Sequence, residues 1–578
     1  MNRYKFAKIN GAIMPETNYY LISGDLSDDF VVNVLQDGLV ICQLGLTKFN
    51  LNHNCFNSEV SNGGLYVNQF KILNGETFTT FSNDLMNFLK VKYLYTKKDI
   101  TGFVPWLEDY KYFCVDKNFE SYLIGVKKYF AFSNSCFVYK GFDKEYIDDI
   151  LQVVYDFEIA GLSQFNPSLT FKIRKDIVLN DQLVDNFLFH IGLIESISYY
   201  KVCCCKKYVF KHNYLNNQQL EFFRKLMYFG LGEYFYVNGL RLNINEFVTF
   251  RVEGDIKYEV IDDYQVYGNL IPVGGGKDSF VTLDILKGEY DNNKAFVFNK
   301  VKSALSSCQA SGYSGDKLLE VGRTMDKRML ELNLQGYLNG HTPFSSLLAF
   351  VSCFVAYLNG LENIVLSNEN SANESTIKDE KINHQYSKTY EFELDFNQYL
   401  SNYVTHRLNY FSLLRRFNEL QISAIFATLK PYHLVFRSCN VGSKVEQWCN
   451  NCAKCTFVAI MLSAFLLDNE LKEIFNEDIL NKEDLLVYVN QLVGISPNKP
   501  FECVGTRSEV LAAIKMAINL RIKNNKNIPF LLSNKAFMAI SEEQINDVLY
   551  EYNDEHFIND HFISLVNDRL KEVLDELN

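Results

Sequence analysis

The chain of 578 residues has no stretch approaching the roughly 18 consecutive apolar residues of a membrane span. Its longest apolar runs, around Leu347–Leu358 and Phe457–Leu467, have the length of buried helices. The opening "MNRYKFAKINGAIMPE" lacks the apolar core of a signal peptide, so a cytoplasmic location without membrane contact is expected. Positive charge is not in excess: 57 Lys and Arg face 69 Asp and Glu, a net charge of −12. That balance makes a nucleic-acid partner unlikely, and the single basic cluster, "KVCCCKKYVFKH" (Lys201–His212), reads as a solvated edge. Proline is scarce, with 9 residues, and neither an internal repeat nor a low-complexity tract interrupts the chain. With 48% hydrophobic and 22% charged residues, two or three ordinary globular domains are implied.

The most informative stretch is "LIPVGGGKDSF", Leu270–Phe280. It is not the nucleotide loop G-x-x-x-x-G-K-[ST], because Asp278 follows Lys277 and Ile271 stands where the first glycine belongs. Ser279 likewise takes the place of the third glycine of a dinucleotide fingerprint. What remains is a short buried strand, three glycines and the start of a helix. Backbone N–H groups at Gly274, Gly275 and Gly276, with the helix dipole behind them, suit an anion such as phosphate. Lys277 adds a cation, and Asp278 is a candidate ligand for Mg²⁺.

Fourteen cysteines in a cytoplasmic chain are not disulfides by default. Four of them, Cys439, Cys449, Cys452 and Cys455, form C-x9-C-x2-C-x2-C. Two Cys-x2-Cys steps bring thiolates to one ion, which suits a closed tetrahedral Zn²⁺ of structural type; an iron–sulfur cluster uses the same donors. Arg437, Lys444 and Lys454 lie nearby to offset the negative charge.

The fold class is α/β. Residues 1–255 show β-type runs broken by Asp-Gly and Asn-Gly turns, with helical periodicity at Asp143–Ile159 and Asn216–Phe229, which predicts an N-terminal α+β domain. From 256 to 510 the runs "LIPV", "AFVFNK", "NIVLSNE" and "YEFELD" alternate with helical stretches, predicting a parallel sheet with helices on both faces. Residues 511–578 read as a helical extension. Ligands of such sheets bind beyond the carboxyl ends of the strands, so Gly274–Ser279, Asn299 and Ser367, Asn368 and Glu369 are the candidate binding residues.

"GGGKDS" resembles the S-G-G-x-D-S loop of the PP-loop ATP pyrophosphatases, with Gly274 in place of the usual serine. The cysteine run is similar to the zinc site of 7-cyano-7-deazaguanine synthase, another PP-loop enzyme. Five further segments follow in order: "NGHTPFSS" (Asn339–Ser346), "SNENSANE" (Ser367–Glu374), "NHQYSKTYEFE" (Asn383–Glu393), "FRSCN" and "KPFECVG" (Lys499–Gly505). Together with the loop they resemble the family of UDP-N-acetyl-α-D-muramoyl-L-alanyl-L-glutamate epimerase, MurL, over about Tyr258–Gly505. The resemblance implies an enzyme that inverts the terminal L-Glu of a UDP-N-acetylmuramoyl dipeptide, with ATP and Mg²⁺ required and AMP and pyrophosphate released. His341, His384, Glu502 and Cys503 lie in the polar segments that carry it and are the candidates for moving the α-proton, the histidines being favoured. Arg437 is a candidate for gripping a substrate carboxylate. Rival readings are a PP-loop enzyme that adenylates for amidation or tRNA thiolation, and a nonenzymatic adenine-nucleotide sensor.

Overall fold

The computed structural model describes residues 132–578 apart from 239, 241, 335–336, 374–385, 440, 443–444, 497–498, 501, 503 and 578, together with the backbone of strands between Lys8 and Thr96. Those early strands, Lys8–Ile9, Ala12–Ile13, Tyr19–Gly24, Asp29–Gln36, Leu39–Phe49, Gly64–Ile72 and Leu94–Thr96 (β1 to β7), pair in chain order into one sheet. β4 and β5 pair antiparallel, while the Asp-Gly turn expected between them lies outside the described residues.

A second sheet has eleven strands. Its first part holds β8 (Cys136–Ile147), β9 (Ile150–Ile159), β10 (Ser163–Phe165), β11 (Ser168–Lys172), β12 (Lys207–Phe210) and β13 (Thr249–Val252). Its second part is parallel: β14 (Asn269–Pro272), β15 (Asn293–Phe298), β16 (Leu318–Thr324), β17 (Asn363–Leu366) and β18 (Asn409–Ser412). The parallel order is β16-β15-β14-β17-β18, so β14 is central and the chain changes direction of winding on either side of it. The antiparallel pairing of β11 with β16 joins both parts, so one sheet runs across residue 255.

The helical periodicity of Asp143–Ile159 is overturned: the segment is the β8–β9 hairpin. Leu151, Val153, Tyr155, Phe157 and Ile159 are buried and their neighbours less so, which is the period-two pattern of a strand. "YEFELD" is likewise not a strand but opens the Tyr390–Tyr403 helix, capped by the Thr389 side chain and burying Phe392, Phe396, Tyr399 and Leu400 at helical spacing. The Lys201–His212 segment is no solvated edge at its start, because Lys201 and Cys203–Cys205 are buried. The Lys201 ammonium donates to Asn339 Oδ1 (2.9 Å) and to the Gly340 carbonyl (2.7 Å). Burial, followed by the charge of Arg323, pulls its pKa down to about 8.

The parallel strands are apolar on both faces. Leu270, Phe296 and Ile364 join one core, while Ile271, Ala295, Val297 and Val365 join the other. The first residues of four of them, β14, β15, β17 and β18, form an asparagine ladder. Asn409 Nδ2 donates to Asn363 Oδ1 (3.0 Å), Asn363 Nδ2 to Asn269 Oδ1 (2.9 Å), and Asn269 Nδ2 to Asn293 Oδ1 (2.8 Å). Helices pack beyond residue 453, and the amphipathic C-terminal tail forms the Asp560–Leu577 helix. Among the described residues, no helix is long and apolar enough to cross a membrane.

Candidate active site

The glycine loop leaves β14 and enters the Lys277–Ile285 helix, with Gly276 as its N-cap. Gly275 has φ +86°, and a Cβ there would lie 2.8 Å from the Ser303 carbonyl carbon, so no other residue fits without displacing backbone. The Ser279 hydroxyl accepts the Gly274 N–H (3.1 Å) and closes the loop on its own helix. A second segment straps onto it: the Arg437 N–H donates to the Gly275 carbonyl (2.8 Å), and the Lys277 N–H reaches Ser438 Oγ at 3.4 Å.

Beyond the carboxyl ends of β14 and β17 lies a cleft of about 290 Å³. Gly274, Gly276, Asp278 and Ser279 line it from the loop. Ser367, Asn368 and Glu369 line it from the turn after β17, where Ser367 accepts from Thr282 Oγ1 (2.8 Å) and Asn368 donates to Ser412 Oγ (3.1 Å). Arg437, Cys439 and Glu502 complete the predicted residues that meet there. The buried Arg415 holds one side by donating to the carbonyls of Glu369 and Lys388, each at 2.7 Å.

Other predicted residues are placed elsewhere. Lys277 does not line the cleft: its ammonium lies beneath the loop, between the carboxylates of Asp278 and Glu419, and is 1% exposed. Asn299 stands at φ +61°, its side chain accepting the Arg323 N–H (2.7 Å), outside the lining. His341 is also outside the lining, its Nδ1 3.8 Å from a Glu233 oxygen. His384 and Cys503 lie outside the described residues. Arg437 reaches the cleft, but its guanidinium donates to the carbonyls of Glu446, Leu434 and Phe436.

Glu419 is a site residue that sequence reasoning missed. It opens the Glu419–Thr428 helix, whose Asn418–Gln421 capping box is the one local signal for its position. Its N–H donates to Glu509 (3.1 Å), and that carboxylate also accepts from Ser371 and Thr506. Burial pushes the Glu419 carboxyl up to about 7, against the opposing pull of Lys277. Burial would lower the Lys277 ammonium, but Asp278 and Glu419 outweigh it and hold the pKa above its ordinary value. Burial would raise Asp278, yet Lys277 first and Lys454 next keep it below the ordinary carboxylate range. Asp278 therefore faces the cleft as an anion, as a ligand for a hard cation must.

The ligand atoms of Cys439, Cys449, Cys452 and Cys455 all lie within 4.8 Å of one another, with Cys449 Sγ 3.6 Å from Cys455 Sγ. A tetrahedron with metal–sulfur bonds of about 2.3 Å has edges of about 3.8 Å, so the four sulfurs are placed to hold one ion. Backbone N–H groups of Gly442 and Cys455 donate to the sulfurs of Cys439 (3.2 Å) and Cys452 (3.4 Å), as they do around thiolates. Gly442 is required by the turn between the first two ligands, since a Cβ there would sit 1.8 Å from the Gln447 carbonyl oxygen.

The sequence matches the model of the MurL N-terminal domain over residues 131–413 and that of the MurL C-terminal domain over 435–544. The chain belongs to the MurL epimerase family. Curated relatives carry the name UDP-N-acetyl-α-D-muramoyl-L-alanyl-L-glutamate epimerase. The protein of Xanthomonas oryzae pv. oryzae is 30% identical over 353 residues, covering 58% of this chain and 75% of the relative. That of a Micromonospora strain is 31% identical over 335 residues, 57% and 73%. That of Salinispora tropica is 33% identical over 296 residues, 50% and 63%. The chain is thus an enzyme of the epimerase class, and the two MurL segments meet at the cleft: the N-terminal one brings the glycine loop and Glu369, the C-terminal one Arg437 and Cys439.

Proposed function

We propose that this MurL family member converts the terminal L-Glu of UDP-N-acetylmuramoyl-L-alanyl-L-glutamate to D-Glu in the cytoplasm, for peptidoglycan precursor synthesis, by ATP-dependent adenylation of the substrate carboxylate. The observation that carries this reading is the convergence, in one cleft at the centre of the sheet, of a phosphate-type glycine loop, an ionised Asp278 and the polar turn Ser367–Glu369. In this reading the domain is of the PP-loop type, with the α+β segment before it, and the cysteines hold a structural Zn²⁺.

An α-hydrogen beside a carboxylate is very weakly acidic, because the carbanion would sit next to a negative charge. ATP supplies an adenylyl group: the carboxylate oxygen bonds to the α-phosphorus, the bond to the β-phosphate breaks, and pyrophosphate leaves. The loop N–H groups receive the charge on the leaving phosphates, and Asp278 would hold a Mg²⁺, which would supply further neutralising charge there. With its charge masked, the carbonyl accepts enolate charge when the α-proton is removed. Glu502, which lines the cleft, is given the proton transfer on one face; His384 or Cys503 serves the other, and His341 is given no part. Water then hydrolyses the acyl-adenylate, a mixed anhydride, to AMP and the epimer.

Incubation with ATP, Mg²⁺ and the L-Glu dipeptide nucleotide in D₂O tests this. D-Glu, AMP and pyrophosphate should appear together, with deuterium entering the α-carbon only when hydrolysable ATP is present. Asp278→Ala should abolish pyrophosphate release without loss of fold. Exchange at full rate without nucleotide, or with a non-cleavable α,β analogue, would refute the adenylation step.

A further inference from the structure

The loop's own lysine is directed inward, so the positive charge facing a bound nucleotide has to come from another part of the chain. We propose that Lys454 holds a phosphate oxygen of the nucleotide at the glycine loop, and that the four-cysteine centre positions it there. This rests on the adenylation reading above.

Lys454 stands between two of the cysteines, on the first turn of the Ala453–Ser463 helix, whose N-cap is Cys452. It is 8% exposed, yet it lines the cleft with Asp278, Ser279 and Ser438. Its charge favours the ionised form of both Asp278 and Glu419, though burial still raises the latter. Its ammonium lies over the ring of the fully buried Phe457, one turn along the same helix, with Nζ 5.1 Å from the ring centre.

The same centre fixes the loop from the other direction. Cys439 follows Ser438 and Arg437, the residues that bind the loop backbone at Lys277 and Gly275. One ion held by Cys439, Cys452 and their neighbours would thus set the distance between the loop and Lys454. The Arg437 guanidinium, which also reaches the cleft, donates to three backbone carbonyls. The UDP-linked substrate also carries phosphates, so the two sources must be separated by experiment.

The metal-loaded protein, wild type and the variants Lys454→Gln and Lys454→Arg, is titrated calorimetrically with Mg-ATP and, separately, with the UDP-linked dipeptide. Metal content and melting temperature are measured for each. Lys454→Gln should weaken ATP binding about tenfold or more, as for loss of a hydrogen bond to a charged group, while Lys454→Arg keeps most of the affinity. Dipeptide affinity should stay unchanged. If Lys454→Gln loses its metal, Lys454→Met repeats the comparison with a different neutral end. Wild-type ATP binding with no change in either neutral variant overturns the assignment alone, as does a loss confined to the dipeptide. A wild-type protein that binds no ATP overturns the adenylation reading and this assignment together.

Discussion

Lys277 and Glu419, 142 positions apart, form an ion pair in which each side chain is 1% exposed. The lysine begins the helix after the glycine loop and the glutamate begins the helix after β18, so the pair ties together the starts of two helices. An ammonium cannot stay in such a place without its counter-charges.

Removing Glu419 takes from Lys277 its fully buried counter-charge and leaves it only Asp278, whose side chain is 26% exposed. Glu419→Ala should therefore destabilise the protein by about 3 kcal/mol or more, and Glu419→Gln, which keeps a hydrogen-bond acceptor, by less. The double change Lys277→Met with Glu419→Leu should recover part of the loss, since the charge then left without Lys277 is Asp278, which is partly exposed and lines the cleft. Urea unfolding of the four proteins decides it. A Glu419→Ala midpoint equal to that of the wild type would mean that the pair is not formed in solution.

Metal binding at the cysteines should show both in composition and in stability. One equivalent of zinc per chain and a colourless protein are expected, and Cys452→Ser should lose metal and melt at lower temperature, because such a site contributes folding energy directly. A brown protein with iron and sulfide would assign an iron–sulfur cluster instead. Unchanged metal content and melting in Cys452→Ser would remove the centre altogether.

His190 should make stability depend on acid. It is buried between the Asn186 carbonyl and the Tyr399 hydroxyl, each 2.8 Å away, and stacks on Phe350. Burial lowers its pKa from 6.5 to about 4. The unfolded chain then binds the extra proton first, so stability is full above pH 6.5 and falls as pH drops towards 4, by up to about 3 kcal/mol from this residue. His190→Gln should be less stable at neutral pH but lose less between 6.5 and 4. Parallel melting curves of the two proteins across that window would rule out His190 as the source.

The parts of the site legible in the sequence are those built from neighbouring residues. Three glycines before Lys-Asp-Ser and two Cys-x2-Cys steps carry their geometry locally, and Ser367–Glu369 follows its strand directly. Glu419, Lys454 and Lys388 are placed by packing between distant segments, and Glu419 offers only a capping box as a local sign. The β8–β9 hairpin and the Tyr390–Tyr403 helix differ from the sequence expectation for a related reason. Aromatic and β-branched residues occur in both, so a short window supports either period until the opposing face is known. The inward turn of Lys277 is invisible in the sequence because the carboxylate that draws it in belongs to another helix.

The asparagine ladder has a meaning for the far end of the sheet. Its four members are the first residues of β15, β14, β17 and β18, which run for six, four, four and four residues respectively. They act as a common baseline, and the height of each cleft wall is metered by strand length above it. A single inserted residue would raise one wall by about 3.3 Å relative to its neighbours and swap that strand's two core faces. The precision with which Gly274 and Ser367 face one another is therefore set at the opposite ends of the strands, by amide groups outside the cleft.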